Sequence, residues 1–134
     1  MLSDQQIKTI LAESRTIAIV GLSDKPQRDS YRVAEYLQKK GYRIIPVNPT
    51  IECVLGERAY PSMREVPEPV DIVDVFRRSE EVPSVVEQAL EKRPRLIWLQ
   101  LGVISPQAAE MAAAAGVPLV MDRCLKVEHG RLLG

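Results

Sequence analysis

TIAIVGLSDKP, residues 16–26, is the stretch that decides the fold of this chain. The apolar run of residues 16–20 predicts a buried strand, Gly21 opens a turn, and a helical pattern begins near Ser30. A turn between a strand and a helix aims backbone N–H groups and the positive end of the helix dipole at its mouth. The stretch therefore predicts a turn that favours a phosphate group.

The same alternation continues along the chain. Polar residues before periodic apolar segments predict helix starts at Ser3 (a capping box with Gln6), Ser79 and Ser105, and glycines predict ends at Gly41 and Gly116. Between these helices lie short apolar runs typical of buried strands. After the first, the predicted strands are residues 43–47, a very short one at 59–60, and residues 70–76, 95–101 and 117–121.

Strands that alternate with helices predict right-handed crossovers and a parallel sheet. The fold class is α/β: a Rossmann-like open, mainly parallel sheet of five or six strands with helices on both faces, in a single domain over residues 1–134. If the run at 59–60 is the third strand, the expected order is 3-2-1-4-5-6. Ligands of such sheets bind at the strand C-terminal ends, at the switch between the first and fourth strands.

Composition narrows the function classes. Lys and Arg together number 18, as do Asp and Glu, so no general affinity for nucleic acid or acidic membranes is expected. No apolar run approaches the length of a membrane span. Two distant cysteines, Cys53 and Cys124, and a single histidine, His129, form no metal-ligand pattern, so no metal site is predicted. The expected location is the cytoplasm.

The Gly21 turn lacks the rest of a dinucleotide fingerprint. The second and third glycine positions of G-x-G-x-x-G hold Ser23 and Pro26, and the second strand ends at Asn48 rather than at a carboxylate. A nicotinamide or flavin enzyme is therefore the weaker interpretation.

Four cations flank the predicted switch. Lys25 and Arg28 follow the first strand, and Arg77 and Arg78 follow the fourth. Arginine forks suit phosphate oxygens, so their convergence predicts a ligand with several phosphates, although each taken singly also fits a solvated loop charge.

Several segments in this order resemble the CoA-binding domains: small stand-alone proteins and the N-terminal domain of the succinyl-CoA synthetase alpha subunit. The resemblance runs from about residue 16 to residue 128. The segments are VGLS (20–23), RDSY (28–31), PVNP (46–49), DIVDVFR (71–77), WLQLG (98–102) and MDRC (121–124).

The resemblance implies a Rossmann-like domain that holds coenzyme A or an acyl-CoA in a crevice at the strand ends. It places the pantetheine arm along those ends. The residues that it implies for the site, together with the cations above, are Gly21, Leu22, Ser23, Lys25, Arg28, Pro46, Asn48, Phe76, Arg77, Arg78, Gln100, Leu101 and Gly102.

The synthetase's ligase domain and partner subunit have no counterpart in 134 residues, so no ligase activity is carried over. We expect a non-enzymatic CoA-binding module that acts as a sensor or carrier, with a small molecule as its partner and any protein partner unidentified. The alternative is a small NAD(P)-binding or thiol-redox enzyme that uses Cys124 or His129. Cys124 follows the last strand and is expected near the thiol end of a bound CoA, or in the core as a small buried thiol.

Overall fold

The structure of the chain, a computed structural model, describes residues 2–134. Its strands are β1 (Thr16–Val20), β2 (Arg43–Val47), β3 (Cys53–Val54), β4 (Glu57–Arg58), β5 (Ile72–Val75), β6 (Leu96–Leu99) and β7 (Leu119–Val120). Its helices are α1 (Asp4–Glu13), α2 (Asp29–Lys39), α3 (Val82–Glu91), α4 (Pro106–Ala114) and α5 (Leu125–Leu132).

Five parallel strands form one open sheet in the order β2-β1-β5-β6-β7, and β3 and β4 form a separate antiparallel hairpin. Tyr60 adds a single parallel bridge to Val47 at the outer side of β2. The predicted Rossmann-like order is therefore confirmed, with the third strand reduced to one residue. The switch lies between β1 and β5, as predicted.

Alternate side chains of each strand enter two hydrophobic cores, one on each face of the sheet. Ile17 and Ile19 of β1 belong to the core that α1, α2 and α5 cover. Ala18 and Val20 belong to the other core, which α3 and α4 cover. The continuous apolar strands follow from this burial on both faces.

The helix ends follow local chemistry where the sequence pattern was strong. Ser3 and Gln6 form the predicted capping box of α1, and the Ser105 side chain accepts a hydrogen bond from the N–H group of Ala108 at the start of α4. Gly41 and Gly116 have positive φ angles of 98° and 73°, the left-handed conformation that suits a helix end.

Two local predictions need correction, and one hairpin was missed. Ser79 does not cap α3, because its Oγ accepts a hydrogen bond from the N–H group of Ile104 at 3.0 Å, and α3 begins at Val82 after a 3-10 turn over Ser79–Glu81. The last strand is two residues long rather than five, because the chain pairs with β6 only over Leu119–Val120. The region between residues 50 and 60 holds the β3–β4 hairpin, which was not predicted.

α5 was not predicted either. Its first turn follows Cys124, and its buried face consists of Leu125 and His129, four residues apart. Within residues 2–134, no helix has the length and apolar character needed to cross a membrane.

Candidate ligand-binding site

Two adjoining cavities open at the C-terminal ends of the parallel strands. The first, which we call the turn cavity, has a volume of about 480 Å³ and is lined by the predicted site residues Gly21, Ser23, Lys25, Arg28, Asn48 and Phe76. The second, the arginine cavity, has a volume of about 580 Å³ and is lined by Phe76, Arg77, Arg78, Gln100 and Leu101. Both are also lined by Asp29, so Asp29 and Phe76 form their common border.

Gly21 lines the turn cavity and lies directly against Phe76, the residue that follows β5. Its N–H group donates to the carbonyl of Val47 at 2.7 Å, and the N–H group of Phe76 donates to the carbonyl of Val20 at 2.8 Å. A Cβ atom at Gly21 would lie 2.1 Å from the carbonyl oxygen of Phe76, and its φ angle is +86°. Glycine is therefore required here by both the close approach and the backbone conformation.

The N-terminus of α2 points at the turn cavity without a side-chain cap. Arg28 occupies the N-cap position and its side chain accepts no capping hydrogen bond. The Ser30 hydroxyl instead accepts from the N–H group of Ser23 at 3.0 Å and ties the turn to the helix. The first N–H groups of a helix lack intrahelical partners, so this end is suited to an anionic group.

Asn48 fixes the shape of the turn. Its Nδ2 donates to the carbonyl of Leu22 at 3.0 Å, and its Oδ1 accepts from the N–H group and the hydroxyl of Thr50 at 2.9 and 2.8 Å. Both ends of the amide are thus used within the protein. Asn48 connects the end of β2 to the turn after β1.

The positive charge is concentrated in the arginine cavity. In the turn cavity, Lys25 and Arg28 are offset by Asp24 and Asp29. In the arginine cavity, four cations face the single carboxylate of Asp29; they are Arg32, Arg77, Arg78 and Lys126. Oxygens of Glu80 and Glu81 lie 3.8 and 3.7 Å from the Arg78 guanidinium, which is largely exposed.

The two predicted pairs of cations therefore belong to neighbouring cavities rather than to facing walls of one crevice. Arg32 and Lys126 were missed. Arg32 lies on α2, four residues after the N-cap residue Arg28. Lys126 lies in the first turn of α5 and was hidden because that helix was not predicted.

Three predicted site residues line neither cavity. Leu22 is fully buried in the hydrophobic core, and only its carbonyl takes part in the turn, as the acceptor for Asn48. Pro46 is buried within β2. Gly102 is exposed and donates its N–H group to Asp122 Oδ1 at 2.8 Å. The side chains of Leu22 and Pro46 therefore line neither cavity, and Gly102 has no side chain.

Asp74 lies in β5, two residues before Phe76, and its side chain is fully buried. The register places it between Ile19 and Trp98. Within the described part of the chain, neither carboxyl oxygen has a hydrogen-bond partner. Burial in this apolar environment raises the pKa of Asp74 well above its ordinary value, so that the neutral acid is favoured.

His129 lies on the buried face of α5, where it faces α2, and it lines neither cavity. Its Nδ1 is 2.9 Å from the hydroxyl of Tyr36, and the ring of Tyr42 meets it edge-on. Burial, and secondarily the charge of Lys40, lower the pKa of His129. The neutral form of His129 is therefore favoured in the α1/α2/α5 layer.

No cluster of three or more His, Cys, Asp or Glu side chains among residues 2–134 is placed to hold a metal ion. Trp98 is fully buried, and its indole N–H donates to the carbonyl of Arg123 at 2.8 Å. This bond holds the segment before α5 against β6.

Comparison with known proteins identifies the family. YneT of Bacillus subtilis (strain 168) is 47% identical over 127 residues, which cover 95% of this chain and 94% of YneT. A hypothetical protein from Pyrococcus horikoshii OT3 has a solved structure that superposes with a TM-score of 0.96 at 41% identity, over 99% of this chain and 94% of that one.

The ADP-forming acetate–CoA ligase II subunit alpha of Pyrococcus furiosus is 33% identical over 79 residues. The matched region covers 58% of this chain but only 17% of that subunit, so the likeness concerns one part of the ligase. The family model of the CoA binding domain matches residues 15–130. The predicted resemblance is confirmed, and the chain belongs to the CoA-binding domain family.

Proposed function

We propose that this chain binds coenzyme A or an acyl-CoA in the turn cavity and the arginine cavity, without catalysing a reaction on it. The observation that carries the proposal is that the two cavities adjoin at the C-terminal ends of the strands, where both are lined by Asp29 and Phe76. One cavity offers an uncapped helix N-terminus, and the other offers four cations. Membership of the CoA-binding domain family supports the choice of ligand.

CoA matches this arrangement because it is elongated and carries phosphates near one end and amide groups along its arm. A diphosphate is suited to the N-terminus of α2 next to Lys25 and Arg28. Arg77 lines the next cavity, so a ligand that extends past Phe76 meets further positive charge. The exposed Leu101 and the partly buried Val103 give that cavity an apolar wall for the arm.

The absence of catalysis is part of the proposal and rests on where acid–base groups lie. His129 and Asp74 line neither cavity. The carboxylates that do line them, Asp24 and Asp29, are exposed near the N-terminus of α2, where water is freely available. Among the described residues, the lining of the two cavities thus contains no buried carboxylate and no histidine to act as an acid or base at a thioester.

Thermal unfolding with added ligands tests the proposal. A ligand present at about 100 times its Kd adds about 2.7 kcal/mol to the free energy of unfolding, which raises Tm by several degrees. We expect this rise with CoA and acetyl-CoA, and a smaller one with ATP, NAD and NADP. A larger rise with NADP than with CoA favours the dinucleotide alternative, and no rise with any CoA species refutes the proposal.

A double variant tests the cation cluster. Replacing Arg77 and Arg78 by alanine should weaken CoA binding by at least about tenfold, because charge-assisted contacts to phosphate are worth about 1.5–3 kcal/mol each. The matched control is Lys8→Ala with Lys39→Ala, which removes the same charge from exposed positions on α1 and α2 outside both cavities. Equal loss of affinity in both double variants shows that only the net charge matters.

Incubation with acetyl-CoA tests the absence of catalysis. We expect the rate at which free thiol appears to equal the rate in buffer. A rate that rises in proportion to protein concentration, in the wild type and in the Lys8→Ala/Lys39→Ala control alike, contradicts this part of the proposal.

A further inference from the structure

Cys124 is placed where the second cavity meets α5. It lines the arginine cavity, is partly buried, occupies the N-cap position of α5 and is a free thiol. The chain's other cysteine, Cys53, is also free but exposed on β3. The two thiols therefore differ in the one property that matters for a ligand: only Cys124 borders a cavity of the proposed site.

A second feature of the arginine cavity points to a ligand beside Cys124. Gln100 lines the cavity and is only 4% exposed. Its Oε1 accepts from the N–H group of Leu125, the residue after Cys124, at 3.0 Å. Its Nε2 makes no hydrogen bond within residues 2–134 and is not among the fully buried unpartnered atoms, so it stays accessible from the cavity that Gln100 lines. A donor on a nearly buried side chain can thus meet an acceptor that enters the cavity.

The other residues that line the arginine cavity indicate which kind of ligand it suits. Val33 and Val103 supply apolar contacts, and Arg32, Arg77 and Lys126 supply positive charge. An occupant that satisfies the Gln100 amide, the apolar contacts and the cations carries a carbonyl oxygen, methylene groups and a negative charge. The pantetheine arm of CoA, with its amide carbonyls and its phosphate-bearing end, has this combination, and it ends in a thiol.

We propose that Cys124 forms a mixed disulfide with CoA held in the arginine cavity, with CoA disulfide as the oxidant. This inference rests on the proposed function. The Cys124 thiolate attacks one sulfur of the CoA disulfide, so a bond forms between Sγ and that sulfur while the original S–S bond breaks. The second CoA leaves as a thiolate and takes up a proton. Cys124 is oxidised, one CoA is reduced, and the other CoA stays attached to the protein.

The geometry favours this exchange at Cys124 because binding raises the local concentration of the disulfide around the thiol. Without binding, the exposed Cys53 has the better access to any disulfide in solution. The attached state is reversed by excess thiol through the same exchange. The redox state of the CoA pool thereby decides whether the site is covalently occupied.

The test compares the two cysteines within one protein. The full chain, reduced and freed of reductant, is incubated with CoA disulfide or with 2-hydroxyethyl disulfide, and the modification of each cysteine is followed by mass spectrometry of peptides. With CoA disulfide, Cys124 should react faster than Cys53 by at least about tenfold. With 2-hydroxyethyl disulfide, which lacks the phosphates and the arm, Cys53 should react faster.

Two variants sharpen the comparison. Cys53→Ser should leave the rate at Cys124 unchanged, because Cys53 lies on the β3–β4 hairpin and lines neither cavity. Replacing Arg77 and Arg78 by alanine should slow the reaction of CoA disulfide at Cys124 and leave the rate at Cys53 unchanged. Reaction at Cys53 that is equal to or faster than reaction at Cys124 with CoA disulfide overturns the inference.

The failure of this inference is distinguishable from failure of the proposed function. Thermal unfolding of the wild type is measured in a sample with reduced CoA and excess reductant, which contains no CoA disulfide. If Tm rises in that experiment but CoA disulfide shows no preference for Cys124, the mixed disulfide is refuted and the proposal of CoA binding stands. If Tm does not rise and Cys124 shows no preference, both CoA binding and the mixed disulfide are refuted.

Discussion

Replacing Asp74 by asparagine should change the pH dependence of the free energy of unfolding. Asp74 is fully buried, and desolvation raises its pKa well above the ordinary value in the folded protein. In the unfolded chain an Asp side chain titrates near about pH 4. Between these two pKa values the folded state binds one more proton, so each pH unit of increase lowers the stability of the wild type by about 1.4 kcal/mol.

Asparagine resembles the protonated acid in shape and does not titrate in this range. The wild type loses stability as pH rises because the folded protein holds the proton of Asp74. The Asp74→Asn variant has no such proton and should not show this loss. For each pH unit between the two pKa values, the stability of the variant relative to the wild type should increase by about 1.4 kcal/mol. The measurement is urea unfolding of both proteins without ligand, at intervals from about pH 4.5 to about pH 7.

Glu68→Gln is the matched control because its expected sign is opposite. A hydrogen bond from Arg43 is the main cause that lowers the pKa of Glu68, so this side chain stabilises the folded protein above its unfolded pKa and loses that effect as pH falls. The stability of the Glu68→Gln variant relative to the wild type should stay constant from about pH 4.5 to about pH 7, and it should rise toward the wild-type value only in additional measurements below about pH 4.5. If the Asp74→Asn and wild-type profiles run parallel throughout, Asp74 does not bind the extra proton and the reasoning is refuted.

Two further predictions concern packing and are checked by urea unfolding. Gly21→Ala should lower the free energy of unfolding by at least about 3 kcal/mol, because the new Cβ atom would clash with the Phe76 carbonyl and alanine is strained at the positive φ angle. Gly116→Ala, which has the same kind of φ angle but open space around it, should cost about 1 kcal/mol. Similar costs for the two variants would show that the turn can move away from the Cβ atom. Tyr42→Phe should cost about 1 kcal/mol, because it removes the 2.6 Å hydrogen bond from the Tyr42 hydroxyl to the Leu11 carbonyl, and no loss would mean that this bond contributes nothing net.

The fold could be predicted where one strong local pattern coincided with the tertiary context. β1, β2, the start of α1 and both ends of α4 follow from apolar runs and capping residues that the structure uses in the same way. Ser79 shows the limit of such signals. Its sequence position suits a helix cap, but the hydroxyl bonds to the distant N–H group of Ile104, and no local pattern contains that partner.

The site could be predicted in outline, because the ends of parallel strands must meet at one edge of the sheet. What the sequence could not provide was the division into two cavities. That division depends on Phe76 and Asp29, which form the border, and on α5, which brings Cys124 and Lys126 to the second cavity. The helix was missed because its apolar face contains His129, a residue type that does not mark a core position.

The Tyr60 bridge has a consequence for the behaviour of the sheet toward other chains. Tyr60 donates to the carbonyl of Pro46 and accepts from the N–H group of Asn48, so the outer backbone groups of β2 at these positions are occupied. Pro46 itself has no N–H group to offer. At the opposite edge, β7 pairs over only two residues. Neither edge thus presents a long row of unpaired groups, which protects this sheet against edge-to-edge aggregation.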